Sequence, residues 1–299
     1  ERFLDKINFA QLTLSMGVSE ATLHRRQRQA IYLLAEILYT QEIELSKGRK
    51  SIYEQRLEPP FYDALFGIEK RLSALLPVLS NQKSPWLISL EGIGGIGKTT
   101  LADALMRKAI DQNLFEDFGW ISARQQRFNL GGSIRVTDIP VMTQESLIEA
   151  LSIQMLEDAQ TPPFPSEQTL HLLQKKLRQT PSLITIDNLE TVADVEELLP
   201  LLQRLANPTK FLLTSRNSIY SELSTYSFKL FELDEQSALN LIRHEASVRN
   251  LPDLMNCSDQ ELRPIFETVG GNPLALRLVV GQSLTLPIRT ILANLSQTH

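Results

Sequence analysis

The chain has 299 residues, of which 42% are hydrophobic and 22% charged, and a formal net charge of −5. That length suits two domains or three small ones, and the composition is that of an ordinary soluble globular protein. The negative balance gives no global drive toward nucleic acid, although a local basic patch remains compatible with it. Cys257 is the one cysteine, so no internal disulfide can form, which suits a reducing, cytoplasmic setting. No apolar run nears the roughly 18 residues that a membrane helix needs, and no secretory h-region stands near the start. The chain begins at Glu1, as a fragment of a longer protein would.

Residues 1–50 read as helical. Leu4, Ile7, Leu12, Leu14 and Met16 lead to Gly17, and a longer apolar pattern runs from Leu23 through Ile31, Leu34, Ile37 and Leu38. Residues 11–26 resemble a helix-turn-helix: Gly17 provides the turn, and Ser19 can cap the second helix. Thr22, Arg25, Arg26 and Arg28 would then face DNA. Glu36, Glu42 and Glu44 follow soon after, and the second helix runs past residue 40. Both features also fit a module for protein interaction or oligomerisation. Residues 47–62 are charged and end in Pro59-Pro60, which stops a helix, so they are expected to form a linker. A short helix is expected over 67–79.

From Trp86 onward, apolar strands alternate with helices. The strand candidates are 86–91, 118–123, 183–187, 210–215 and 228–233. Helices are expected near 98–113, 144–158, 166–179, 191–205 and 217–224, with a surface loop over 124–140. Strands joined by helical crossovers imply an α/β fold, a parallel sheet covered on both faces. From about 234 the pattern is helical only, over 237–248, 259–269, 273–281 and 287–295. The expected division is 1–50 as an N-terminal helical module and 51–85 as a linker plus short helix. A nucleotide-binding domain over 86–233 and a small helical domain over 234–299 complete it.

The most informative stretch is Gly92-Ile93-Gly94-Gly95-Ile96-Gly97-Lys98-Thr99-Thr100, which fits the phosphate-binding loop pattern G-x-x-x-x-G-K-[ST]. Its glycines let successive N–H groups turn inward on one anion. The helix starting near Gly97 aims its positive end at the same phosphates. Lys98 supplies a point charge for the β- and γ-phosphates, and the Thr99 hydroxyl can ligate Mg²⁺. Gly92, Gly94, Gly95, Ile96, Gly97, Lys98, Thr99 and Thr100 are therefore the expected phosphate-binding residues.

Leu183-Ile184-Thr185-Ile186-Asp187 ends an apolar strand with a carboxylate. In a phosphate-loop protein Asp187 takes the position that holds the Mg²⁺ shell; otherwise it caps the next helix. Asn188 cannot act as a base, which leaves Glu190 as the nearest carboxylate to orient a water, or as a first-turn charge. The expected hydrolysis is slow. Arg216 follows the strand 210–215 and can sense a γ-phosphate there, since ligands bind at the carboxyl ends of parallel strands. Gly270-Gly271-Asn272-Pro273-Leu274-Ala275-Leu276 joins two helices, with Pro273 suited to a first turn.

These pieces in this order resemble the STAND class of signalling ATPases, specifically its NB-ARC branch. The residues that carry the likeness are GIGGIGKTT, LITIDNLE, FLLTSR and GGNPLAL, together with Phe118-Gly119-Trp120-Ile121-Ser122 as a second-strand motif, over about residues 61–295. The resemblance implies a five-stranded parallel sheet followed by a helical bundle. It implies ADP or ATP with Mg²⁺, adenine between the two layers near Phe66, Pro273 against the nucleotide, and Arg216 as the sensor. The family's Gly-Arg pair before the loop is Gly67-Ile68 here. The implied function is a nucleotide-dependent signalling switch and weak ATPase, self-associating on ATP, with output to DNA or a partner protein through residues 1–50. Its rivals are a turnover ATPase acting on DNA and a DNA-binding regulator with a structural nucleotide.

Overall fold

The computed structural model describes residues 14–60, 62–123, 142–156, 167–189, 192–216, 225–288 and 290–291. The chain divides into two compact units, Glu1–Ile52 and Tyr53–His299. In the first, a helical turn at 14–16 is followed by Gly17 at φ +63° and then all but the last turn of helix α1 (Glu20–Arg56). The Thr22 N–H donates to Ser19 Oγ at 3.3 Å, the expected cap. Residues 11–13, part of the expected helix-turn-helix, lie outside the described residues. The expected linker is corrected in part: residues 47–56 continue α1 to Arg56. The prolines that stop a helix come only at 59 and 60, and the last turn is tied down. Tyr53 donates to the Glu116 carbonyl at 2.6 Å, and Arg56 donates to Asp117 Oδ1 and the Phe118 carbonyl, both at 2.7 Å.

The second unit opens with α2 (Glu69–Ser80) and then alternates strands with helices. In chain order these are β1 (Leu87–Glu91), α3 (Lys98–Asp111), β2 (Asp117–Ser122), α4 (Gln144–Met155) and α5 (Glu167–Gln179). There follow β3 (Ser182–Leu189), α6 (Val192–Leu205), β4 (Lys210–Ser215) and β5 (Thr225–Lys229). The sheet order is β2-β3-β4-β1-β5, every pair parallel. Alternating side chains feed two separate cores. Ile88, Leu90, Leu183 and Leu212 pack under α2 and α3. Leu87, Ile184, Ile186, Phe211 and Leu213 pack under α4, α5 and α6. A period of two with both sets apolar is the mark of strands buried on both faces.

The last strand differs from expectation. The apolar run at 228–233 is not all strand, because pairing with β1 ends at Lys229. Leu230 and Leu233 are buried for another reason. Their N–H groups donate to the Glu91 carbonyl (2.7 Å) and the Gly271 carbonyl (2.9 Å), which guides the chain into the helical bundle. That bundle is α7 (Glu235–Val248), α8 (Pro252–Met255), α9 (Asp259–Val269) and α10 (Pro273–Gln282) around a core including Leu239, Ile242, Leu262 and Leu276. Sequence periodicity missed α8, which is only one turn long. Asp234 caps α7, a Ser258–Glu261 box caps α9, and Asn272 caps α10. The loop at 124–140, the helix at 217–224 and most of the helix at 287–295 lie outside the described residues.

Candidate nucleotide site

Every β-strand of the sheet delivers its carboxyl end to the same edge, and the phosphate loop follows β1 there. Gly92, Gly95 and Gly97 adopt φ of +155°, +76° and +97°, so the loop turns through conformations that side chains resist. Gly97 forms the left-handed N-cap of α3, whose first turn carries no acid. Its positive end is thus left for an outside anion. The Lys98 ammonium folds back over the loop and donates to the Gly92 (2.7 Å) and Ile93 (3.0 Å) carbonyls.

The metal side is built at the end of β3. Asp187 is fully buried. Its Oδ1 accepts from the Thr99 hydroxyl at 2.9 Å and from the Thr214 hydroxyl at 2.6 Å. Thr214 in turn accepts from the Asn188 N–H at 2.8 Å. The β3–β4 register slips here: Ile186 faces Leu213, yet Leu189 faces Ser215. Two residues of β3 therefore oppose Thr214 alone, a bulge that aims the carboxylate at the loop. Asn188 takes the strained place in that bulge, at φ +76°, which asparagine tolerates better than most residues. Asn188 also lines the cleft beside the loop, and the sequence carried this place only as an asparagine after a strand. A hydroxyl and a carboxylate this close are hard oxygen donors of the kind that, with substrate phosphates, suit Mg²⁺. Among the described residues no cluster of three or more His, Cys, Asp or Glu forms a self-sufficient metal cage.

A cleft of about 280 Å³ lies between the loop and the helical bundle. Gly94, Gly95, Ile96, Gly97, Lys98, Thr99 and Thr100 line it, as do Phe66, Arg216 and Pro273, so the sequence-derived residues converge on one place. Gly92 does not line the cleft; a Cβ there would stand 3.1 Å from both Ile96 and the Leu230 carbonyl. Glu190 lies outside the described residues. Arg216 is exposed and reaches over the loop, its guanidinium carbon 3.9 Å from where a Gly94 Cβ would stand. The Phe66 ring packs 5.4 Å from that of His244 in α7.

Several lining residues were not anticipated. Arg277 on α10 is held by Glu245 at 2.8 Å, and Arg71 on α2 donates to the Phe231 carbonyl at 2.7 Å. Tyr62 donates to Asp103 at 2.5 Å; burial first, and then that carboxylate, pushes its phenol well above the ordinary range. Asn272, which does not line the cleft but stands beside it at the N-cap of α10, matters most. Its Nδ2 donates to the Gly94 carbonyl at 3.1 Å, while its Oδ1 accepts from Leu274 N–H (3.0 Å) and Ala275 N–H (3.3 Å). The Leu274 N–H also reaches the Gly95 carbonyl at 3.3 Å. A Cβ on Gly95 would stand 2.5 Å from the Leu274 Cβ, so glycine is what lets α10 close on the loop. The clue was an Asn before a proline at a helix start, which alone reads as a cap.

A family model, the NB-ARC domain, matches residues 68–251, more than half of the chain. The chain belongs to the NB-ARC domain family. It thus carries a nucleotide-binding domain of the signalling type, on a P-loop NTPase fold of the STAND class. Among curated relatives, disease susceptibility protein LOV1 of Arabidopsis thaliana is 25% identical over 231 residues, covering 73% of this chain and 23% of its own length. The disease resistance-like protein DSC1 of the same plant is 26% identical over 234 residues, covering 76% and 18%. The chain spans less than a third of the length of these relatives. Among solved structures, a STAND protein with a tetratricopeptide repeat sensor from Pyrococcus horikoshii superposes with a TM-score of 0.52 at 17% identity, over 80% of this chain and 33% of that one. A Drosophila ORC structure bound to DNA gives 0.50 at 16% identity, over 75% and 61%. These two likenesses concern the fold. No helix among the described residues is long and apolar enough to cross a membrane.

Proposed function

We propose that this chain is a nucleotide-dependent signalling switch that binds ADP or ATP with Mg²⁺ in the cleft between the sheet and the helical bundle. One observation carries the reading: α10 of the bundle bonds to the Gly94 and Gly95 carbonyls of the phosphate loop. Those carbonyls belong to the loop that would wrap the phosphates, so the bundle is bonded to the phosphate-binding element itself. A change at the phosphates is then a change at the bundle's contact, which is the differential interaction a switch requires.

Lys98 would bind the β- and γ-phosphates, exchanging its carbonyl partners for them. Thr99 and Asp187 would hold Mg²⁺, which when bound neutralises phosphate charge and orients the triphosphate. Arg216 would sense the γ-phosphate from the end of β4, and Phe66 and Pro273 would flank the base. Glu190 would orient the attacking water, with slow turnover as the outcome. The division into 1–50, 51–85, 86–233 and 234–299 follows the same reading, with the first module delivering output from a cytoplasmic protein. ATP would favour self-association. The exposed Arg25 and Arg26 after the Gly17 turn also keep a DNA-binding output open; its sign would be salt-dependent binding to duplex DNA that is lost in Arg25→Ala/Arg26→Ala.

The test is to identify the nucleotide retained on purification and to measure mass in ADP and in a non-hydrolysable ATP analogue. Retained adenine nucleotide, lost in Lys98→Ala, and a mass that rises with the ATP analogue support the switch. Calorimetry that detects no adenine nucleotide binding refutes it, and steady-state turnover at the rate of a motor ATPase favours the enzyme reading instead.

A further inference from the structure

Helix α1 carries an apolar surface that an isolated helix in water does not keep. Residues 30–39 read Ala-Ile-Tyr-Leu-Leu-Ala-Glu-Ile-Leu-Tyr, with Glu36 the one charge. Ile31, Leu34, Ile37 and Leu38 recur at helical spacing along one face, and each is more than half exposed (54–56%). Tyr32 and Tyr39, seven residues apart on the far side, are 71% and 69% exposed. Contiguous exposed patches of this kind mark interaction sites. The ten-residue run is too short to span a bilayer. A bilayer surface is a poor occupant too, because acidic residues accompany the basic ones through and beyond the run.

The charges around the run identify the occupant. Toward the N-terminus come Glu20, then Arg25, Arg26 and Arg28; toward the C-terminus come Glu42 and Glu44, then Lys47, Arg49 and Lys50. The order is acid, base, apolar run, acid, base. Laid on a second copy running the other way about residue 35, this helix brings position 26 level with 44, 28 with 42, and 20 with about 50. Every such pairing joins opposite charges, with the Ile31, Leu34, Ile37 and Leu38 faces meeting at the apolar centre. Laid parallel and in register, each charge meets its own kind. Residues 20–50 at 1.5 Å each give about 45 Å of overlap, long enough for a stable helix pair. An isologous two-fold contact of this kind requires a self-complementary surface.

We propose that α1 is a self-pairing surface, two copies of this chain joining through antiparallel α1 helices. The pairing rests on α1 alone and is independent of the nucleotide. The test is sedimentation equilibrium of the full chain, nucleotide-free and with Mg²⁺-ADP, alongside three variants checked for native helicity. The wild type is expected to be a concentration-dependent dimer in both states. Leu34→Glu/Leu38→Glu should weaken association by roughly a hundredfold or more, since it places charge in the apolar seam. Arg26→Glu/Arg28→Glu should weaken it by about tenfold, as should Glu42→Arg/Glu44→Arg, and an equimolar mixture of these two should restore it as a heterodimer. A wild type that is monomeric at about 100 μM in both states overturns the proposal. So do charge variants that dimerise as well as the wild type, the result a parallel pair would give. So does binding to anionic vesicles with no dimer in solution. If dimerisation persists where nucleotide binding fails, the pairing stands while the switch falls.

Discussion

Replacing Asn272 with serine separates two jobs that one side chain performs. Its Oδ1 caps α10 by accepting from Leu274 and Ala275, and its Nδ2 ties that helix to the Gly94 carbonyl. Serine caps as well as asparagine does, but its hydroxyl is a bond shorter and is occupied at the cap. Alanine loses both roles. The cap contributes about 1 kcal/mol, and a part-exposed hydrogen bond such as the tie about 0.5–1.5 kcal/mol. In urea unfolding, Asn272→Ser should lose about 0.5–1.5 kcal/mol, the tie alone, and Asn272→Ala about 1.5–2.5 kcal/mol, the tie and the cap together. Release of a fluorescent ADP should behave differently. The tie holds the Gly94 carbonyl of the loop that would wrap the phosphates, so it helps to keep the bundle against that loop. Its loss should speed release about fivefold in both variants, the equivalent of roughly 1 kcal/mol. If ADP leaves Asn272→Ser at the wild-type rate, the contact with Gly94 transmits nothing, and the loop and bundle are merely neighbours.

Thr99→Ala should weaken Mg²⁺-nucleotide binding about tenfold more than that of the nucleotide alone; equal losses in calorimetry with and without Mg²⁺ contradict the metal role. Gly271→Ala should destabilise the protein by about 3 kcal/mol or more in urea unfolding, because its Cβ would stand 2.1 Å from the Leu233 carbonyl oxygen; a loss under about 1 kcal/mol would mean that the crossing relaxes freely. Lys210 is buried beside Trp86 with its ammonium on the Val78, Lys83 and Pro85 carbonyls, and burial lowers it from 10.5 to about 8. The unfolded chain keeps this proton up to about pH 10.5 and the folded one only to about 8. Stability from this group therefore rises with pH across that window. The wild type should gain on Lys210→Met between those limits, and a difference that stays flat refutes the shift.

The strands were legible because burial on both faces leaves continuous apolar runs, and the loop because its chemistry fixes residue types at fixed spacing. What stayed hidden depends on contacts between distant positions. Pro59-Pro60 marks the end of helical potential, but the chain before it reads as linker until Glu116, Asp117 and Phe118 are seen to hold Tyr53 and Arg56. The run at 228–233 has strand composition throughout; Leu230 still bonds Glu91 of β1, and only the partner of Leu233, the Gly271 carbonyl, marks where the chain leaves the sheet. Asn188 was weighed as a missing base because sequence gives no register. The slip opposite Thr214 puts it in the bulge at φ +76°, at the edge of the cleft.

Two glycines set how the bundle meets the sheet, and they differ in what they touch. Gly271 crosses the backbone of Leu233, where a side chain would collide with main-chain atoms on both sides. Gly95 meets the Leu274 Cβ, which the α10 backbone fixes, and the Asn272 amide, which the cap and the Gly94 carbonyl hold. Both contacts are thus set by the backbone, and they stand three residues apart, at Gly271 and Leu274. Gly270, at φ +69°, lets the chain turn ahead of Asn272, and Pro273 fits the first turn of α10. The same short segment therefore fixes the bundle to Leu233 on one side and to the phosphate loop on the other, so a change in either contact is felt at the other.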